Sequence, residues 1–301
     1  MKIVTPAHIN EIGNRNNNED SIYPEESTAK DSLFLVCDGV GGHEKGEVAS
    51  SLVCKYMAEF INKKDADVKE VDFLAKALEH TEKNLVEHIS ADPGLKGMAS
   101  TLTLVKLLYK KEQALVGWVG DSRVYHLRNG EVLFQTKDHS EVQNLLDMGE
   151  ITQEEAENHP RKNVITRAVN GVRPTRIDHK VIEDLREDDF FLLCTDGILE
   201  TLDEDKIRHW FTSESTVEEV KAKILKNASG KTQDNYSMYL IKIKETNTEQ
   251  TLDTQKTRSA TAIQDTGSEN NKTPKTYLKI VFFILLLLLG FCLYKLWYLG
   301  R

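Results

Sequence analysis

Short apolar runs alternate with polar breaks through residues 1–244, and run length separates strands from helices. Runs at 33–37, 101–108, 114–119, 124–127, 132–135, 190–194 and 237–243 predict strands. Asn129-Gly130 stands between the fourth and fifth of these, and this dipeptide favours the two-residue type I′ hairpin turn. Strands joined by tight turns pair antiparallel. Longer segments at about 47–61, 73–89 and 217–228 predict helices, and in the second Phe73, Ala77, Val86 and Ile89 are expected near one face. Strands grouped between helices, rather than alternating with them, predict an α+β sandwich.

The pattern changes twice towards the C-terminus. From 245 to about 275, Thr, Gln, Asn, Ser, Lys and Asp replace large apolar residues, which predicts a flexible linker. Residues 276–301 then read as a single transmembrane anchor, because 280–299 (IVFFILLLLLGFCLYKLWYL) is broken only by Lys295. A helix of that length spans roughly 30 Å, one hydrocarbon core. Lys279 and Lys295 can snorkel, and Tyr294, Trp297 and Tyr298 suit the interface. The unbroken LLLLL run has no amphipathic period, which argues against a buried soluble helix. No apolar core of a signal peptide follows Met1. With Lys272, Lys275 and Lys279 on the domain side, the expectation is a cytoplasmic domain tethered to the membrane by one C-terminal pass. Such a tether raises the effective concentration towards membrane-bound targets.

Composition narrows the picture. The 301-residue chain carries a formal net charge of -9, which excludes a nucleic-acid partner that needs a basic face. Cys37, Cys54, Cys194 and Cys292 form no C-x-x-C pair and no zinc spacing, and for the three that lie inside apolar runs buried structural thiols are expected.

The informative feature is where the acidic residues stand. Asp38 follows LFLVC, Asp121 follows ALVGWVG, and Asp196 follows FFLLCT; Asp234 precedes NYSMYLI, and Glu19 and Asp20 precede Ser21-Ile22-Tyr23. One Asp-Gly after a strand is an ordinary turn. Five carboxylate-bearing strand ends that converge would repel strongly when desolvated, and hard divalent cations neutralise such a cluster. Oxygen-only donors favour magnesium or manganese over zinc. The glycines of Asp38-Gly39-Val40-Gly41-Gly42-His43 would let a carbonyl turn towards a metal beside Asp38. Arg15 is the candidate phosphate clamp, since a guanidinium matches phosphate oxygens with a fork.

Six motifs in order carry a resemblance: Arg15-x-x-Asn18-Glu19-Asp20, Asp38-Gly39-x-Gly41-Gly42-His43, Gly120-Asp121-Ser122-Arg123, Asp138-His139-Ser140, Thr195-Asp196-Gly197 and Asp234-Asn235. Over roughly residues 5–244 the chain resembles the metal-dependent serine/threonine protein phosphatases of the 2C type, the bacterial branch above all. The resemblance implies an α-β-β-α fold, a central antiparallel β-sandwich flanked by helices on both sides. It also implies a two-metal centre of Mn2+ or Mg2+, with Asp38 bridging both ions and the Gly39 carbonyl on one. Asp196 and Asp234 would complete the first site, and Glu19 and Asp20 would support the second, partly through water. Asp121 resembles the residue that, with Asp196, holds a third, weaker metal in bacterial relatives. Arg15 would bind the substrate phosphate, and residues 141–167 correspond to a variable flap beside the cleft. The implied reaction is hydrolysis of phosphoserine and phosphothreonine in proteins by a metal-activated water, opposing a Ser/Thr kinase.

Two positions depart from the pattern. Val40 stands where some relatives carry a histidine proposed as general acid, so that role does not transfer, and none is assigned to His43. Val169-Asn170-Gly171 replaces the Leu-Gly of many relatives. Other chemistries fare worse. No cysteine heads a Cys-x5-Arg motif, and Ser229-Gly230-Lys231-Thr232 lacks the first glycine of a P-loop because position 225 is Leu. A catalytically inactive phosphatase-like binding module would show lost carboxylates, and all are present. A third reading is a two-metal phosphodiesterase acting on nucleotides, and the absence of a basic groove signature argues against nucleic acid as its substrate.

Overall fold

The computed structural model describes residues 1–40, 45–63 and 72–247. Gly41, Gly42 and His43, the linker from 248 onward and the expected anchor lie outside the described residues. The folded unit spans Met1–Glu249. Its strands are β1 (Lys2–Ile3), β2 (Ala7–Glu11), β3 (Asp20–Tyr23), β4 (Leu33–Val40), β5 (Ala99–Ser100), β6 (Leu102–Leu108), β7 (Gln113–Val119), β8 (Arg123–Arg128), β9 (Glu131–Gln135), β10 (Asp178–Ile182), β11 (Phe190–Cys194) and β12 (Tyr236–Glu245). Its helices are α1 (Lys45–Lys63), α2 (Phe73–Ala91), α3 (Glu141–Met148), α4 (Gln153–Glu157), α5 (Asp196–Leu199), α6 (Glu204–Trp210) and α7 (Val217–Ala228).

Among the described residues every ladder is antiparallel, and two sheets form. One runs β1-β12-β11-β8-β9, with β2 also on β12; the other runs β10-β7-β6-β4-β3, with β5 on β4. The expected hairpin is present: Arg128 faces Glu131 across a turn in which Asn129 and Gly130 have φ of 46° and 80°.

Strand alternation explains the unbroken apolar runs. In β4, Leu33, Leu35 and Cys37 face a core shared with α1 and α2, while Phe34 and Val36 face the space between the sheets. In β11, Phe190, Leu192 and Cys194 pack under α5, α6 and α7, while Phe191 and Leu193 join the central core. A strand buried on both faces needs no polar residue, so these runs read as continuous. The layers are therefore helix, sheet, sheet, helix, as the resemblance implies. Cys37, Cys54 and Cys194 are buried free thiols.

Helix α1 buries Ala49, Val53, Met57 and Ile61, one residue per turn. Helix α2 corrects one expectation. Its core face is Phe73, Ala77, Thr81 and Leu85, and Val86 is exposed. Val86 lies about three and a half turns beyond Phe73, which rotates it to the far side of the helix.

Helix α7 begins with a capping box: Thr216 accepts from the Glu219 backbone N–H, and the Glu219 carboxylate accepts from that of Thr216. Thr216→Ala should lower unfolding stability by about 1 kcal/mol and the melting temperature by about 2–4 °C, read by thermal denaturation.

Candidate metal centre

Strands that end together deliver their acidic residues together. Glu19, Asp38, Asp121, Asp196 and Asp234 line one cleft of about 840 Å³ with Arg15 and Gly39. Asp38 continues the series Phe34, Val36 along β4 and so projects from the layer between the sheets. Its backbone is braced, with its N–H donating to Thr101 Oγ1 at 2.8 Å and its carbonyl accepting from Thr101 N at 2.8 Å and Ser100 Oγ at 3.0 Å. Asp121 follows β7, Asp196 opens α5 directly beyond β11, and Asp234 leads into β12.

Asp20 lies beneath the cleft. It opens β3, sits opposite Asp38 in the β3–β4 register, and is buried. Like charges directly across a ladder destabilise it, and burial sharpens the conflict. Thr195 Oγ1 donates to Asp20 Oδ2 at 3.0 Å, but Asp20 Oδ1 and Asp196 Oδ1 are buried without a hydrogen-bond partner. An unmatched buried oxygen of this kind costs about 1–3 kcal/mol.

Electrostatics record the crowding. Burial, reinforced by the Asp196 charge, pushes the Asp20 and Asp121 carboxyls up to about 7. Burial and Asp234 push Asp196 up to about 6. Asp38 is driven well above the usual carboxylate range by burial, then by Asp20, Asp196, Asp121 and Asp234. Burial raises Glu19 as well.

Two glycines let the cleft wall close up. A Cβ on Gly39 would stand 2.1 Å from the Gly46 carbonyl oxygen. A Cβ on Gly46 would stand 2.6 Å from Glu19 Oε2 and 2.8 Å from the Gly39 carbonyl oxygen. The Glu19 carboxylate and the Gly39 carbonyl thus converge on space that any side chain at position 46 would fill.

Arg15 reaches the cleft as expected, and Nη2 donates to Asp234 Oδ2 at 2.6 Å. Among the described residues no three His, Cys, Asp or Glu side chains close around a single point as an ion cage. The fit to a cation therefore rests on donor chemistry. The donors are all oxygen, they carry crowded like charge, and two buried oxygens lack partners. These properties suit hard divalent cations such as Mn2+ or Mg2+.

Several contributors escape a reading of the sequence. Asn235 braces the floor: Nδ2 donates to the carbonyls of Ile12 and Asn17 at 2.8 Å each, and Oδ1 accepts from Glu19 N at 2.9 Å. The Asp-Asn dipeptide was its only signal. Asn163 and Ile165 reach the cleft from the segment that follows α4, and no motif marks them.

An acidic, oxygen-only cleft with one arginine, set at the end of an antiparallel sandwich, has the makings of a cation-assisted phosphoester hydrolase. The family model described as protein phosphatase 2C matches residues 10–232. A serine/threonine phosphatase, stp, from Listeria innocua is 32% identical over 231 residues, covering 75% of this chain and 90% of that protein. The crystal structure of the Mycobacterium tuberculosis serine/threonine phosphatase PstP/Ppp superposes with a TM-score of 0.70 at 31% identity, covering 81% of this chain and all (100%) of that one. The catalytic domain of PstP in complex with two manganese ions superposes with a TM-score of 0.66 at 30% identity, again over 81% of this chain and 100% of that one. The chain belongs to the protein phosphatase 2C family. Its reaction is the dephosphorylation of serine and threonine in proteins.

The raised carboxyls make stability depend on pH. The folded chain holds these protons to higher pH than the unfolded chain, so their contribution is full below about pH 4 and is lost as pH rises through about 6–7. In EDTA the free energy of unfolding should fall between about pH 5 and pH 8. Asp20→Asn should flatten that fall and stabilise the chain at pH 8 by on the order of 1–3 kcal/mol. Urea denaturation at the two pH values reads both, and an unchanged slope in the variant counts against this account.

Proposed function

We propose that the cleft removes phosphate from phosphoserine and phosphothreonine with Asp38 at its centre. The carrying observation is that carboxylates from five separate segments meet beside one arginine. Asp38, Asp196 and Asp234 with the Gly39 carbonyl would hold one divalent cation. Asp38 with Glu19 and Asp20 would hold a second, and Asp121 with Asp196 a third and weaker one. The manganese-bearing PstP domain supports Mn2+, with Mg2+ as the other hard candidate. When bound, such cations supply charge neutralisation at the phosphoryl oxygens and acidify water near neutral pH.

The protein's own groups do the rest. Arg15 offers a guanidinium fork to the phosphoryl oxygens, and releasing Asp234 to a cation frees that fork. Asn163 and Ile165 form the flap-side wall against which the peptide around the phosphoresidue would lie. Direct attack by water would need no covalent enzyme intermediate.

Beyond the catalytic unit, we read residues 276–301 as a membrane anchor and 245–275 as its linker, with the domain on the cytoplasmic side opposing a Ser/Thr kinase. The support is the apolar run 280–299. Among the described residues no helix is long and apolar enough to cross a membrane, so attachment rests on that run.

Asp38→Ala and Asp196→Ala should each lower kcat on a phosphothreonine peptide by about 1,000-fold or more while leaving the circular dichroism spectrum unchanged. EDTA should stop turnover and Mn2+ restore it. Full activity in Asp38→Ala would refute the assignment. Arg15→Ala should raise KM for phosphopeptide about 10-fold, and an unchanged KM removes the clamp role. Deleting 277–301 should move the protein from the membrane pellet to the supernatant; a deletion product still sedimenting with membranes would sink the anchor.

A further inference from the structure

The Asp138-His139-Ser140 motif takes no direct part in the cleft, yet His139 sits where four segments cross. It is buried against Trp118, with ring centroids 6.3 Å apart and planes 11° from parallel. Gly120 N donates to His139 Nδ1 at 3.0 Å, and His139 N donates to the Gly120 carbonyl at 2.8 Å. This reciprocal pair grips the residue immediately before Asp121. On the other side, Thr166 N donates to the His139 carbonyl at 2.7 Å, and Ser140 bridges Ile165. His139 thus also grips the neck of the flap, whose Asn163 and Ile165 line the cleft.

The ring chemistry fixes how the grip works. Burial first, then the Arg167 charge, hold the imidazole below its ordinary pKa, so it is neutral near pH 7. Because Nδ1 accepts from Gly120, the proton sits on Nε2. Nε2 donates to Asp178 Oδ2 at 3.3 Å, and Arg167 Nη1 donates to Asp178 Oδ1 at 3.0 Å. Arg167 Nη1 also lies 2.9 Å from Nε2, a contact between two donors that the shared carboxylate bridges. Asp178 stays ionised: burial opposes this, but the His139 hydrogen bond and the Arg167 charge outweigh it. Asp178 in turn faces Trp118 across the β10–β7 ladder, which closes the ring of contacts.

We propose that His139 is a positioning residue that locks the Asp121 turn to the neck of the flap, so that one side chain sets both the cation side and the peptide side of the cleft. The cation half of this statement rests on the reading of Asp121 as a ligand; the mechanical half does not. A histidine that merely filled the core would destabilise the whole unit when lost. A latch would loosen two particular segments.

The two ring nitrogens can be separated by substitution in the full-length chain. His139→Asn leaves an amide oxygen where Nδ1 stands but cannot reach Asp178, and His139→Leu removes both contacts. Amide exchange of the EDTA-stripped chain is read at 117–123, at 141–167, and at β11 and β12 as the control. In His139→Leu, exchange in the first two windows should accelerate about 5- to 10-fold with the control unchanged. In His139→Asn, the 117–123 window should return to wild-type rates while the flap stays fast. The weakest Mn2+ binding step, followed by calorimetry, should weaken about 5- to 10-fold in the Leu variant and recover in the Asn variant. In the Asn variant, KM for a phosphothreonine peptide should rise while KM for p-nitrophenyl phosphate holds. Wild-type exchange in His139→Leu, equal acceleration of β11 and β12, or no recovery in His139→Asn would each overturn the latch. If wild type shows no weak Mn2+ step while exchange behaves as stated, the cation reading of Asp121 fails and the mechanical coupling stands.

Discussion

Confinement of like charge is the constraint on which the rest of this structure depends. Asp20 and Asp38 face each other across β3 and β4, and Asp121, Asp196 and Asp234 crowd the same end. A short carboxylate on a mobile loop would simply turn towards solvent. Here the carboxylates are extensions of strands whose apolar residues are committed to three cores, so the ends cannot part without unpacking the sheets. Hydrophobic burial, at roughly 25 cal/mol per Å², is what holds repelling groups together. The strain is released by protonation at low pH, by a guanidinium such as Arg15, or by a divalent ion.

The two-sided burial of β4 and β11 has a second role. Because Leu33, Leu35 and Cys37 lock to the α1–α2 layer while Phe34 and Val36 lock to the opposite sheet, the direction of Asp38 is set from both sides. The Thr101 hydrogen bonds then fix its backbone. Preorganised groups of this kind pay no reorganisation cost when charge develops on a substrate. The cleft wall that carries Asn163 and Ile165 is built differently, from the short helices α3 and α4 and a bridge at Ser140–Ile165.

All seven strands expected from apolar runs are present, and α7 spans the expected 217–228. Such runs were legible because both faces of the central strands are buried. Two edge strands were not: β10 reads Asp-His-Lys-Val-Ile and β2 Ala-His-Ile-Asn-Glu, where one exposed face admits polar residues and breaks the apolar signal, whereas the edge strand β9 was marked by Asn129-Gly130 before it. The carboxylates of the site were legible as an ordered set of strand-end motifs. Their arrangement was not. The Arg15–Asp234 pair joins residues 219 positions apart, and Gly46 gains meaning only when Glu19 and Gly39 close on it. The two roles of His139 likewise appear only once the Gly120 turn and the flap neck lie on either side of it.

Strand β12 begins beside Asp234 and Asn235 at the cleft and ends nine residues later at Glu245. At about 3.3 Å per residue its two ends are about 30 Å apart. Just past its far end, Asn247 N donates to Glu112, and the amino group of Met1 pairs with the same side chain. Both chain termini of the folded unit are therefore stitched together at the pole remote from the chemistry. A fluorophore, resin or fusion partner coupled at either one would leave the mouth of the cleft clear for large phosphorylated substrates.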